Sequence, residues 1–164
     1  MEHVAEFEQW YRTHHACVVT SLLLVGGNLD LAVDAVDEAF TRAFARWDRV
    51  RKMDSPTGWT YRVALNALRR AQRRAALERR LLARQVPAPD VPAPASGAWD
   101  LVRSLPVRQR TAVVLRYVAD MTESDIAEAM GITRGTVSST LADARRRMAE
   151  SVASETDELE SNDV

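Results

Sequence analysis

The segment Val86-Pro87-Ala88-Pro89-Asp90-Val91-Pro92-Ala93-Pro94-Ala95-Ser96-Gly97 holds four of the six prolines in a chain of 164 residues. Proline lacks an amide hydrogen and locks its own backbone, so such a run continues neither a helix nor an inner strand. It predicts an extended, semi-rigid spacer over 86–97. That spacer separates residues 1–85 from residues 98–150 and leaves 151–164 as an acidic, polar tail expected to be disordered from about Ala153 on. Neither flank shows the period-two alternation of strands, whereas both repeat apolar residues at three- and four-residue steps. The predicted fold is all-α, with two small helical domains joined by a Pro/Ala-rich linker.

In the first half, residues 4–25 predict a helix with Phe7, Tyr11 and Val18 on one side and Gly26-Gly27-Asn28 as its stop. Asp30 is a plausible N-cap for a second helix, whose stripe Val36, Phe40, Phe44 and Trp47 is amphipathic. Residues 48–57 read as a loop. Ser55-Pro56 then starts a long helix to about Arg84, with Tyr61, Leu65, Leu68 and Ala75 on its apolar side. Arg62, Asn66, Arg69, Arg73 and Arg80 fall on one face of that helix.

A net charge of −1 argues, as a total, against a polyanionic partner. Its distribution says otherwise. Residues 1–41 carry seven acids and one arginine, residues 42–84 thirteen bases and three acids, and residues 150–164 six acids and no base. The basic stretch has the size of a nucleic-acid footprint, although a solvated helix face would also carry such charge.

Other function classes find little support. The apolar run Val18–Val25 is broken by Thr20 and Ser21 and falls short of the roughly 20 residues that a membrane span needs. The acidic start of the chain does not resemble a signal peptide. Cys17 is the single cysteine, so neither an internal disulfide nor a multi-cysteine zinc site can form. His14 and His15 diverge on a helix and have no suitably spaced carboxylate, which predicts no metal site. There is no Gly-rich phosphate loop and no nucleophile–base pair, so no catalytic residue, cofactor or small-molecule substrate is expected. A cytoplasmic location follows from the same features.

Residues 122–148 carry the sharpest local pattern. Thr122 and Asp125 have capping-box spacing; Ile126, Ala127 and Met130 face inward; and Gly131 suits a left-handed helix stop. Thr133 caps a second helix that buries Val137 and Leu141. This is a helix-turn-helix, whose second helix enters a DNA major groove N-terminus first. Arg134, Thr136, Ser138 and Ser139 would then approach base edges, with Arg145, Arg146 and Arg147 nearer phosphates or the domain surface. A further helix begins at Leu105-Pro106-Val107-Arg108-Gln109-Arg110.

Taken together, residues 4–150 resemble a bacterial sigma factor of the extracytoplasmic-function (ECF) class, in the sigma-70 family. Leu105-Pro106…Arg110, Asp125-Ile126-Ala127 and Gly131-Ile132-Thr133-Arg134-Gly135-Thr136-Val137 match the σ4 pattern. Asp30 to Phe40 resembles the polymerase-binding helix of σ2, and Trp59, Asn66 and the cluster Arg69–Arg74 resemble its promoter-melting helix. The resemblance implies a non-catalytic subunit that directs core RNA polymerase, through its β′ and β subunits, to promoters. It implies polymerase contacts at Asp34, Asp37, Glu38 and Arg42. It implies −10 element contacts at Trp59, Tyr61, Arg62, Asn66, Arg69 and Arg73, with loop 48–57 as the rim for a flipped base. It implies −35 contacts at Arg134, Thr136, Ser138, Ser139 and Arg145, and an anti-sigma factor as regulator.

Two departures stand out. Arg70 occupies a position where the family usually has an acid, and Ser138, Thr140 and Asp143 stand where the recognition helix usually carries bases. Trp59 and Tyr61 read equally as core aromatics, and Asp37 and Glu38 as a solvated face. The alternative function is a stand-alone helix-turn-helix regulator, which would dimerise on two half-sites; a protein-interaction module binding an acidic partner is a third.

Overall fold

The computed structural model describes residues 2–81 and 97–161 as eight helices. They are α1 (Glu2–Gly26), α2 (Leu29–Ala45), α3 (Trp47–Val50), α4 (Pro56–Leu81), α5 (Gly97–Ser104), α6 (Val107–Tyr117), α7 (Glu123–Met130) and α8 (Arg134–Ser161). No strand occurs among the described residues. Most of the proline-rich spacer lies outside them, and Gly97, expected to be its last residue, already begins α5.

The chain's punctuation is local chemistry. Gly27 adopts φ +74° and its amide donates to the Leu23 carbonyl at 2.7 Å, ending α1 in the left-handed conformation that glycine adopts without strain. The cap of α2 is Asn28, whose side chain accepts from the Leu31 amide at 2.9 Å; Asp30 instead sits inside the first turn. An Asn at N-cap satisfies an otherwise orphaned amide, while Asp30 serves by its charge near the positive helix end. Residues 48–50, assigned to loop from sequence, join Trp47 in the short α3, which buries Trp47 and Val50. Ser55 Oγ accepts from the Gly58 amide at 2.9 Å and starts α4 as expected.

In the first half, α1, α2 and α4 pack around Val18, Leu22, Val36, Phe40, Tyr61, Leu65 and Leu68. The sequence stripe on α2 needs correction at Phe44, which is 52% exposed. The buried side of α2 is built instead on Ala32, Ala35, Ala39 and Ala43 around Val36 and Phe40. These small side chains let α1 and α4 approach closely, and alanine is also the best helix former.

The second half has the expected helix-turn-helix. Thr122 Oγ1 accepts from the Asp125 amide at 3.2 Å and donates to its carboxylate at 2.7 Å. Gly131 turns at φ +65°, and Thr133 Oγ1 accepts from the Thr136 amide at 3.2 Å. Ile126, Val137 and Leu141 are completely buried with Leu115 and Val114. Ala129 is buried too, whereas Ala127 and Met130, expected to face inward, are only half-buried. Helix α8 runs to Ser161, so the tail expected to be unstructured after Ala153 is helical over 154–161.

The two halves are not separate bodies. Helix α6 lies against α1, and α7 lies along α4, so that residues from both halves form one continuous core. Arg110 of α6 donates to the Val25 carbonyl of α1 at 3.2 Å and, through Nη2, to the Arg103 and Leu105 carbonyls at 2.9 and 3.2 Å. The Cys17 thiol of α1 faces the Val118 carbonyl at 3.8 Å. Gly58 of α4 lies under the α7 backbone: a Cβ there would stand 3.1 Å from the Asp125 carbonyl oxygen and 2.6 Å from Ser55 Oγ.

A shared core predicts shared unfolding. Leu115→Ala removes a wholly buried side chain and should cost about 2–5 kcal/mol. Thermal melts followed by circular dichroism should show one transition, shifted down as a whole. Two transitions, only one of them displaced, would mean that the halves fold independently.

Candidate nucleic-acid interface

Helix α4 offers two opposite faces. Tyr61, Leu65 and Leu68 point into the core, each at most 1% exposed. Asn66, Arg70 and Arg73 point to solvent, Arg62 is half-exposed and Arg69 half-buried. Asn66 Oδ1 accepts from Arg69 Nη1 at 3.4 Å. The expected arginine face therefore exists over 62–73, and guanidinium groups on it can grip phosphates bidentately or stack on bases.

Tyr61 does not belong to that face. Its hydroxyl shares a hydrogen bond with Ser21 Oγ at 3.1 Å and donates to Cys17 Sγ at 3.7 Å. Burial drives its pKa far above the usual tyrosine value, so it stays protonated. The assignment to promoter DNA is corrected to a core aromatic with a satisfied polar end.

Trp59 is half-buried and opens onto a cleft of about 730 Å³. On one wall are Trp59, Arg62 and the loop residues Lys52–Ser55; on the other are Ser124, Ala127, Glu128, Gly131 and Ile132. Arg62 Nη1 pairs with Glu128 Oε1 across it at 3.2 Å. Ala127 thus lines the cleft between α7 and α4.

On α2, Asp34, Asp37 and Arg42 are exposed and Glu38 half-buried. Asp37 Oδ1 meets His15 Nε2 at 3.2 Å. The two neighbouring histidines diverge: the His14 ring packs 5.4 Å from Trp10, and its burial lowers its pKa, whereas His15 lies 4.6 Å from Tyr11. Glu38 Oε1 receives both Arg42 Nη2 at 2.6 Å and Arg70 Nη2 at 2.8 Å. Arg70 is therefore a strut between α4 and α2. Its partner lies 32 positions away on another helix, which spacing within one helix does not reveal.

The N-terminal part of α8 presents Arg134, Ser138 and Ser139 to solvent, with Thr136 half-buried against Thr133 at 2.8 Å. Arg134 Nε is 3.7 Å from Glu123, and Arg145 Nε donates to the Tyr117 hydroxyl at 3.1 Å. Sequence reasoning missed Gly58, Ala127 and Glu128 as seam residues. The available signal was Gly58 itself: a glycine in the first turns of a long helix costs stability unless another backbone comes close.

Comparison with known proteins decides the family. Sigma-70 region 2 matches residues 10–78, and Sigma-70, region 4 matches residues 98–148. The RNA polymerase sigma-E factor of Streptomyces avermitilis is 32% identical, over 98% of this chain and 89% of its own length. The chain belongs to the sigma-70 family, in its ECF class. The ECF RNA polymerase sigma factor SigM of Mycobacterium tuberculosis is 31% identical, over 87% of this chain and 75% of its own. Among solved structures, the sigma factor RpoE of Bartonella quintana, in complex with the anti-sigma factor NepR, superposes with a TM-score of 0.73 at 19% identity, covering 88% of this chain and 95% of that one. The fold of two sigma-type helical regions is thereby established, and the chain is an RNA polymerase sigma factor and not a stand-alone regulator. No described helix is long and apolar enough to cross a membrane.

The buried position of Tyr61 in this sigma factor makes a direct test. Tyr61→Phe should lower stability by about 1 kcal/mol, read by denaturant melts, and leave transcription from a cognate promoter unchanged. A promoter-specific loss without a stability change would return Tyr61 to the DNA.

Proposed function

We propose that this sigma factor is the non-catalytic, promoter-selecting subunit of its polymerase and that its surfaces divide the work by charge. Asp34, Asp37, Glu38 and Arg42 on α2 engage core polymerase through its β′ and β subunits. Trp59, Arg62, Asn66, Arg69 and Arg73 hold the opened strand of the −10 element, with the loop before α4 as the rim of a base pocket. Arg134, Thr136, Ser138, Ser139 and Arg145 read the −35 duplex, where a helix in the major groove has access to a distinct donor and acceptor pattern for each base pair. The observation that carries this reading is the shared face of Arg62, Asn66, Arg69 and Arg73 beside a half-exposed tryptophan. Arginines supply phosphate contacts and an aromatic supplies a stacking platform, the combination that single-stranded nucleic acid requires.

The Arg70–Glu38–Arg42 cluster supports the same division. Glu38 is neutralised from two sides, so the acidic character of α2 toward a partner rests mainly on Asp34 and Asp37. We further propose that an anti-sigma factor regulates the protein, as the Bartonella quintana sigma factor is found with NepR. The protein would work in the cytoplasm, on the nucleoid once in holoenzyme.

The decisive experiment is run-off transcription with purified core polymerase over a genomic promoter library. The expected result is initiation from a defined promoter set only when the sigma factor is added. Arg69→Ala with Arg73→Ala should weaken promoter-complex formation and flatten its salt dependence by about 1 to 2 in slope. Asp34→Lys with Asp37→Lys should abolish co-elution with core enzyme while leaving the melting temperature within a few degrees. Co-elution and initiation untouched by both pairs would overturn these assignments.

A further inference from the structure

We infer that Tyr117 and Arg145 form one phosphate-binding site at the far end of the proposed −35 surface, in which the tyrosine hydroxyl donates to the DNA backbone. Helix α6 is buried over Thr111–Leu115 and then ends on Tyr117, which is 58% exposed. The hydroxyl of this exposed ring accepts from Arg145 Nε at 3.1 Å, joining α6 to α8. Neither side chain makes another hydrogen bond or ion pair among the described residues.

That bond decides what both groups can still do. A tyrosine hydroxyl is donor and acceptor at once. With a lone pair given to Nε, its hydrogen remains for an acceptor. Arg145 keeps both Nη groups, in a planar fork that suits phosphate. Hydroxyl and guanidinium therefore offer donors side by side, and the unesterified oxygens of a phosphodiester are acceptors only. Neighbouring cations are already engaged: Arg116 Nη1 donates to the Met121 carbonyl at 2.8 Å, and Arg146 pairs with Asp143 at 2.8 Å. The place suits backbone rather than base. Arg134, Ser138 and Arg145 follow at steps of four and seven, so they share one exposed face of α8. Arg145 stands about 16 Å along the helix from Arg134. A recognition helix that enters the groove N-terminus first has left the base edges by then and meets the flanking strand. Holding Nε on the tyrosine also orders the guanidinium before DNA arrives, which lowers the entropy lost on binding.

This inference rests on the proposed −35 role of α8, and the test separates the two. Holoenzyme is assembled from the full chain and core polymerase, and the dissociation constant of its complex with a promoter found by run-off is measured against salt. The same duplex then carries a single neutral methylphosphonate at each backbone position of the −35 element in turn. Tyr117→Phe should weaken the complex about tenfold, with the salt slope unchanged, because a hydroxyl displaces no counterion. Arg145→Ala should weaken it and lower the slope by about 1. At one methylphosphonate position the unmodified and Tyr117→Phe chains should bind alike; at the others the difference should persist. The melting temperature of Tyr117→Phe should match that of the unmodified chain. Unchanged affinity of Tyr117→Phe overturns the site, as does a loss that no methylphosphonate removes or one that comes with a lowered melting temperature. Arg134→Ala and Ser138→Ala report on the −35 reading itself. If they weaken the complex and Tyr117→Phe does not, the inference alone fails; if they too bind like the unmodified chain, the −35 reading fails and takes the inference with it.

Discussion

Helix α7 rests on the first turns of α4, and much of the rest of the structure depends on that contact. It requires a glycine at position 58, because any side chain there would press on the Asp125 carbonyl. It brings α6 against α1, where Arg110 spends three hydrogen bonds on backbone carbonyls. A chain that the proline-rich segment divides in sequence is thereby a single folded unit with one core. Two regions of this size would each have a small core alone; sharing one raises the fraction of surface buried.

The same contact joins surfaces with different tasks. The arginine face of α4 and the helix-turn-helix are proposed to bind different stretches of one promoter, yet here they face each other with Glu128 against Arg62. About two turns further along α4, Arg70 reaches Glu38 of the helix proposed to dock polymerase. A single helix therefore touches both neighbours through exposed ion pairs, each weak and screened by salt. Such pairs set orientation at small energetic cost and are readily exchanged for other anions.

Much of this was legible in the sequence. Helix identity, the caps at Thr122 and Thr133, the left-handed Gly131 and the arginine face of α4 follow from local chemistry, which a sequence states directly. What escaped depends on residues distant in the chain. Tyr61 lies beside Arg62 in sequence but on the opposite face, and only its hydrogen bonds to Ser21 and Cys17 identify it as core. Phe44 continues an apolar stripe and is nevertheless half-exposed, because the helix ends at Ala45 and Trp47 takes the buried place. Asn28 displaces Asp30 as cap because the chain leaves Gly27 two residues earlier than the charge pattern suggested. Ala127 fits either a turn or a seam, and spacing alone does not choose. The segregation of charge behind the net −1 was visible from the start, whereas the pairing of Arg62 with Glu128 was not.

The most direct test of this account is a distance. Fluorophores on exposed positions of α4 and α8, introduced as Arg74→Cys and Ala142→Cys in a Cys17→Ser background, report the separation of the two halves by energy transfer. The account predicts high transfer in the free chain, as one core shared by both halves requires. Low transfer in the free chain, of the kind two independently moving halves would give, would contradict it.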